Sequence, residues 1–226
     1  MPDTARAAPR SPHRGPRVRV APIAAEGWPF ILVPLALAVG LAGLGWPILA
    51  GLAAAVAAFM AYFFRDPERT PPATAGAVLA PADGRVTEVR DGMDDPLLGP
   101  ARRVVIFLSP LDVHVNRSAI GGRVTSVERF PGGFVPANRA AAEGNQSVRI
   151  ALEGESGRVV MRQVVGVLAR RIVCRVGPGA ALEAGERFGM IKFGSRMDVV
   201  MPARTRVIVA VGDRVRAGET VLAVLE

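Results

Sequence analysis

Lysine is almost missing from these 226 residues: Lys192 stands alone in a chain whose formal charge is +8 and whose other basic side chains are arginine. Pyridoxal phosphate enzymes and lipoyl or biotinyl carriers both need a lysine at a set position, so both have only one residue to draw on. Cysteine occurs once, as Cys174. No intrachain disulfide can form, a reducing compartment fits, and the apolar run Ile172-Val173-Cys174 makes the thiol a small buried hydrophobe. Histidine occurs only at His13 and His114, which together with one cysteine makes no metal site. Aromatic residues are 5% of the chain and are not interleaved with basic ones. That argues against a nucleic-acid surface and directs the positive charge toward an anionic membrane.

Charge itself is absent from Gly27 to Phe64. One helix of that length would run about 56 Å, against a hydrocarbon core of about 30 Å. Gly45-Trp46-Pro47 divides the segment into halves that each just span a bilayer. Trp28, Trp46 and Tyr62-Phe63-Phe64 mark the interfaces. The expectation is a helical membrane hairpin over 27–64, preceded by a disordered basic tail over 1–26. Arginines flank it on both sides, so both ends lie in the cytoplasm. The apolar block is too long for a signal peptide and has no small-residue cleavage site. Pro29, Pro34 and many glycines leave open a hairpin lying in one leaflet.

Beyond residue 64 the pattern changes to short β-branched runs between Gly, Pro and Asp. Ala77–Ala80, Arg85–Val89, Arg103–Leu108, Val159–Met161 and Arg206–Ala210 read as strands, and one short helix is expected around Ala137–Glu143. The segments around Asp83-Gly84-Arg85-Val86 and Gly212-Asp213-Arg214-Val215 echo one another, the second resembling the turn of lipoyl and biotinyl domains. The fold class is therefore mainly β: a compact, barrel-like sandwich of short strands with lipoyl-like turns over residues 65–226, preceded by the helical hairpin.

One short run carries unusual chemistry: Phe188-Gly189-Met190-Ile191-Lys192-Phe193-Gly194-Ser195-Arg196. Ser195 can attack the carbonyl carbon of Gly194, where glycine leaves the approach open and allows unusual backbone angles. The amide becomes an ester, and β-elimination breaks it. What remains of Ser195 is a dehydroalanine that hydrolyses to a pyruvoyl group, which forms a Schiff base with an amine and accepts electrons from a departing carboxylate. A Gly-Ser pair alone is as readily a turn between strands. The serine needs a base, and His114 is the one imidazole outside the tail. Asp83 is either a turn aspartate or the group that orients that imidazole, and Asp198 is a competing carboxylate. Lys192 reads as a cation attracting an anionic substrate. Cys174, Asn138 and Asn145 are further candidates for the pocket wall.

Four blocks now stand in order: Phe63-Phe64-Arg65-Asp66-Pro67-Glu68-Arg69, Ala80-Pro81-Ala82-Asp83-Gly84, Leu108-Ser109-Pro110-Leu111-Asp112-Val113-His114-Val115-Asn116-Arg117, and Gly185 through Arg196. With them the chain resembles the short, membrane-associated phosphatidylserine decarboxylase proenzymes over about residues 28–226. The resemblance implies that Gly194-Ser195 is the cleaved bond, that Ser195 becomes a covalent pyruvoyl cofactor (pyruvate), and that Asp83 and His114 are catalytic. It also implies chains 1–194 and 195–226 paired as a heterodimer, with further oligomerisation open. Phosphatidylserine in the cell membrane is the expected partner, approached from the cytoplasmic side. One position departs from the family: longer members carry a second histidine where this chain has Arg117, which becomes, with Lys192, a candidate substrate contact. Two alternatives remain: action on the ether-lipid analogue archaetidylserine, and a membrane-anchored lipoyl-like carrier. The carrier is weakened because no lysine follows the Gly212–Gly218 turn.

Overall fold

The computed structural model describes residues 22–167, 171–192 and 194–226. Most of the expected basic tail, with His13, lies outside the described residues. Two apolar helices open the described chain, α1 (Trp28–Gly43) and α2 (Pro47–Phe63), after a single 3₁₀ turn at Ala25–Gly27. Each has proline in its first turn, where the missing N–H costs nothing. The chain turns back at Leu44–Trp46, where the sequence places the break. At its base the hairpin is closed by backbone bonds: Ala24 N–H donates to Phe64 O and Asp66 N–H to Pro22 O, both at 2.8 Å. Entry and exit therefore lie side by side. Among the described residues one helix, Ala25–Gly43, is long and apolar enough to cross a membrane, and α2 is a shorter apolar helix. Large apolar side chains such as Leu32, Val39, Leu44, Ile48 and Leu52 point outward along the pair.

Among the described residues the remainder forms fourteen strands: β1 (Ala77–Leu79), β2 (Gly84–Asp95), β3 (Gly99–Leu108), β4 (Val115–Arg117), β5 (Gly122–Phe130), β6 (Ser147–Gly154), β7 (Gly157–Val164), β8 (Ile172–Cys174), β9 (Ala181–Leu182), β10 (Arg187–Ile191), β11 (Ser195–Pro202), β12 (Arg206–Val207), β13 (Arg214–Val215) and β14 (Val221–Val224). Eight of them form one sheet in the order β13-β2-β3-β11-β7-β6-β5-β9, curled into a half-barrel. Two three-stranded sheets, β4-β10-β8 and β1-β14-β12, complete the fold. The main core, including Ile106, Ile150, Met161, Phe188 and Met197, fills the space they enclose. A second apolar cluster joins Phe63 and Phe64 from the hairpin to Val113, Val115 and Met190.

Alternation along β11 decides what faces the core. Met197, Val199 and Met201 point inward with Ser195, while Arg196 and Asp198 take the opposite face. The two echoing sequence segments lie against each other, Arg214 pairing with Arg85 and Val215 with Gly84.

Two local expectations need correction. The helix expected over Ala137–Glu143 is a 3₁₀ turn, Ala140–Gly144, too short to gain from α-helical cooperativity. The strand expected over Arg206–Ala210 ends at Val207. Beyond it, Ala210 N–H bonds to the Asp213 carboxylate instead of to a neighbouring strand.

Candidate active site

Ser195 begins β11 and pairs with Leu108, the last residue of β3. It is fully buried, and its Oγ has no hydrogen-bond partner. Gly194, just before it, has φ +66°, a left-handed conformation that other residues adopt only at a cost. The carbonyl of Gly194 rests on Gly166: a Cβ at Gly166 would lie 2.3 Å from that oxygen and 3.3 Å from Ala137 Cβ. Asn145, buried beside it, donates from Nδ2 to the carbonyl oxygens of Val165 and Val135, both at 2.8 Å. The segment bearing Gly166 is thereby tied to the loop that carries Ala137.

His114 reaches the same end of the half-barrel by a separate route. The loop leaving β3 is braced by Asp112, whose carboxylate accepts the Ser109 N–H at 2.8 Å. The loop then enters β4, and Val115 pairs with Met190 on β10. From Met190 the chain runs on through Gly194 to Ser195. Nδ1 of His114 lies 2.9 Å from the Asp112 carbonyl oxygen, which can only accept. The proton therefore sits on Nδ1, and Nε2 carries the lone pair. Nε2 is buried without a partner, as is Ser195 Oγ. Burial holds the imidazole pKa down at about 4, against the opposing influence of the Asp112 backbone and carboxylate. At neutral pH the ring is an uncharged base.

The hairpin supplies a wall of this site. The Phe63 and His114 ring centroids are 4.1 Å apart, with 34° between the planes. Arg65 Nη2 donates to Leu111 O at 2.8 Å and Tyr62 Oη to the same oxygen at 3.2 Å, so the histidine loop is moored to the end of α2. Lys192 Nζ lies 5.0 Å from the centre of the Phe30 ring and 5.9 Å from that of Phe64, and burial lowers its pKa. The only lysine thus sits where the hairpin meets the β domain.

The other expected residues fall elsewhere. Asp83 Oδ2 accepts from Arg69 Nη2 at 2.9 Å and its Oδ1 from Ala217 N–H at 2.7 Å. In this chain the bond to His114 Nδ1 is made by Asp112 O, and Asp83 clamps the Arg69 segment to the C-terminal turn. Burial raises the Asp83 pKa, against that backbone bond and the Arg69 charge. Arg117 is buried and donates to Asp66, Pro67 O and Gly185 O, anchoring the Arg65-Asp66-Pro67 block. Asp198 faces away from Ser195 and takes a bidentate pair from Arg196 at 2.6 and 2.8 Å. Glu143 joins that cluster. Burial opposes its charge, but Arg196, Arg103 and Arg162 outweigh burial and hold its carboxyl at about 2. Cys174 is half-buried against the main core, and Asn138 is exposed.

Phe63 and Gly166 escape sequence reasoning. Phe63 is visible only as the end of an apolar run, and Gly166 only as a lone glycine between two strands.

Comparison with known proteins identifies the family. The profile described as phosphatidylserine decarboxylase matches residues 56–223. The chain is similar to proteins named phosphatidylserine decarboxylase proenzyme from three bacteria. It is 41% identical to that of Azorhizobium caulinodans over 212 residues, which is 92% of this chain and 91% of the relative. It is 45% identical to that of Chlorobium luteolum over 195 residues, 83% and 92% of the two chains. It is 47% identical to that of Symbiobacterium thermophilum over 204 residues, 88% and 94% of the two chains. These matches establish that the chain belongs to the phosphatidylserine decarboxylase family, whose members are decarboxylases.

Proposed function

We propose that the chain cleaves itself between Gly194 and Ser195, converts Ser195 to a pyruvoyl group, and decarboxylates phosphatidylserine to phosphatidylethanolamine at a membrane surface. The observation that carries the reading is the pair of buried, unpartnered atoms, Ser195 Oγ and His114 Nε2, beside a glycine held at positive φ. Burying two polar atoms unpaired costs stability, so a reaction that uses them is the simplest account of their retention.

In the first step the Oγ proton passes to His114 Nε2, and Oγ attacks the Gly194 carbonyl carbon. The C–N bond breaks, His114 returns the proton to the departing nitrogen, and an ester remains. Loss of the Ser195 α-proton expels the Gly194 carboxylate. Water then replaces the resulting enamine nitrogen, which leaves as ammonia. Residues 1–194 and 195–226 stay together, because β11 keeps its pairing with β3 and β7. Position 195 is enclosed, and the lack of a side chain at Gly166 accommodates the Gly194 carbonyl that becomes the carboxylate of the large chain. A pyruvoyl carbonyl supplies the electrophile that condenses with the lipid amine and takes up the electron pair as carbon dioxide departs.

The chain's own groups do the rest. His114 delivers a proton, oriented by Asp112 O. Phe63 keeps water from its ring. Lys192 attracts the lipid phosphate at the hairpin junction. Asp83 and Arg117 hold the walls that frame the pocket, through Arg69 and Asp66. The hairpin of residues 27–64 sits in the cell membrane with residues 65–226 on the cytoplasmic side, so the lipid need not leave the bilayer. The purified protein should release carbon dioxide from phosphatidylserine without added pyridoxal phosphate. Borohydride added with substrate should attach lipid to the small chain at position 195. Labelling at Lys192, or dependence on added pyridoxal phosphate, would overturn the assignment.

A further inference from the structure

Two buried amides lie on β7 and β4, the strands that neighbour Ser195 and His114. Gln163 lies on β7 opposite Met197, on the sheet face where Ser195 stands two residues along β11. Asn116 lies on β4 opposite Gly189, two residues after His114 in the chain. Both are fully buried. They bond to one another, Gln163 Nε2 donating to Asn116 Oδ1 at 2.8 Å, with Val173 O also 3.4 Å from that nitrogen. Two acceptors around one atom make it the nitrogen of Gln163, which makes its partner the oxygen of Asn116. They meet where Gly189 leaves space: a Cβ there would come within 3.2 Å of Gln163 Nε2.

The pairing uses only half of each amide. Asn116 Nδ2 and Gln163 Oε1 remain buried and unpartnered, as do Ser195 Oγ and His114 Nε2. A free donor beside a free acceptor is the complement of a group bearing both a carboxylate and an ammonium. Neutral partners also suit the chemistry. The carboxylate loses its charge as carbon dioxide leaves, so a guanidinium would stabilise the ground state more than the transition state. Two arginines of this region are committed elsewhere, Arg196 to Asp198 and Glu143, Arg117 to Asp66.

We propose that Asn116 and Gln163 form the headgroup subsite, Asn116 Nδ2–H donating to the substrate carboxylate and Gln163 Oε1 accepting from its ammonium group. The assignment rests on Ser195 being the reacting centre. The test uses purified full-length protein in mixed micelles, with phosphatidylserine as substrate and phosphatidylethanolamine, which lacks the carboxylate, as inhibitor. Asn116→Leu and Asn116→Asp should still give two chains. Their kcat/KM should fall about 10- to 100-fold, as expected for a lost hydrogen bond to a charged group, while inhibition by phosphatidylethanolamine changes less than about threefold. Gln163→Met should weaken both lipids, since both carry the amine. Unchanged kcat/KM in the Asn116 variants, or equal loss for the two lipids, overturns the subsite. Failure of all three variants to form two chains also overturns it, because the amides would then serve folding or processing. Parent protein that neither cleaves nor decarboxylates would instead refute the reading of Ser195, and the subsite with it.

Discussion

The ring of Phe63, the last residue of α2, lies against the ring of His114, with centroids 4.1 Å apart. The helical hairpin is thus part of the wall around the proposed base, and Phe63 and Phe64 are both fully buried in the cluster that carries β4. The hairpin and the site therefore cannot be separated at residue 64.

Truncation should show this directly. Deleting residues 1–60 should leave a chain that still folds and cleaves, whereas deleting residues 1–64 should not. Phe63→Ala should cost about 3–5 kcal/mol of stability, the usual range for emptying a buried phenyl site. It should also admit water to His114 and raise the midpoint of the pH–processing profile, measured by gel densitometry. Unchanged stability and an unchanged profile would remove Phe63 from the site.

The His114 pKa of about 4 fixes a pH window. An unfolded histidine titrates near 6.5, so between these values the unfolded chain binds more protons and stability rises with pH. The contribution is whole above about pH 6.5 and is lost toward about pH 4, in total on the order of 3 kcal/mol. Glu143, at about 2, acts only at lower pH. Thermal melting of His114→Asn should therefore be flatter than parent between pH 6.5 and 4. Parallel curves would show that burial does not depress His114. Processing in the parent should hold steady from neutral pH down to about 5 and fall below that.

Gly166→Ala should block cleavage while leaving the fold intact. The added Cβ would meet the Gly194 carbonyl oxygen at 2.3 Å, and that oxygen must move for the two to coexist. A rate loss of about 100-fold or more is expected, since small misplacements at a reacting centre carry costs of that size. Processing at the parent rate would mean that the Gly194 carbonyl does not rest there during reaction.

Asp83→Asn separates two roles. As a clamp, Asp83 holds Arg69 at 2.9 Å with both side chains largely buried, and breaking such a pair costs about 3–5 kcal/mol. The variant should melt lower and process more slowly with the pH profile unmoved. A shifted profile at unchanged stability would instead place Asp83 in a relay with His114.

Much of this was legible in the sequence, for identifiable reasons. The uncharged stretch with Gly45-Trp46-Pro47 at its middle encodes the hairpin, because charge and helix breaks are local properties. Along β11 both faces are buried, Ser195, Met197 and Val199 on the main core and Arg196 and Asp198 on an ion-paired face, and the sequence pattern gives no strand there. What the sequence conceals is partnership. Asp83 and Asp112 are both carboxylates near His114 in motif terms, but only the fold shows that the Asp112 backbone takes Nδ1 while Asp83 turns to Arg69 and Ala217. Arg117 resembles a substitute for a histidine, yet its guanidinium is spent on Asp66, Pro67 and Gly185. Phe63 meets His114 only because the hairpin returns its last turn to β4, a contact between residues 51 positions apart that no local pattern encodes.

The most direct test is the intact mass of the purified protein under denaturing conditions, beside that of Ser195→Ala. Two species are predicted for the parent: residues 1–194 ending in a free glycine carboxylate, and residues 195–226 lighter by one ammonia than the sequence with an N-terminal serine. The Ser195→Ala protein should remain a single full-length chain. A parent of full-length mass, or a Ser195→Ala chain that still splits at this bond, would contradict the account.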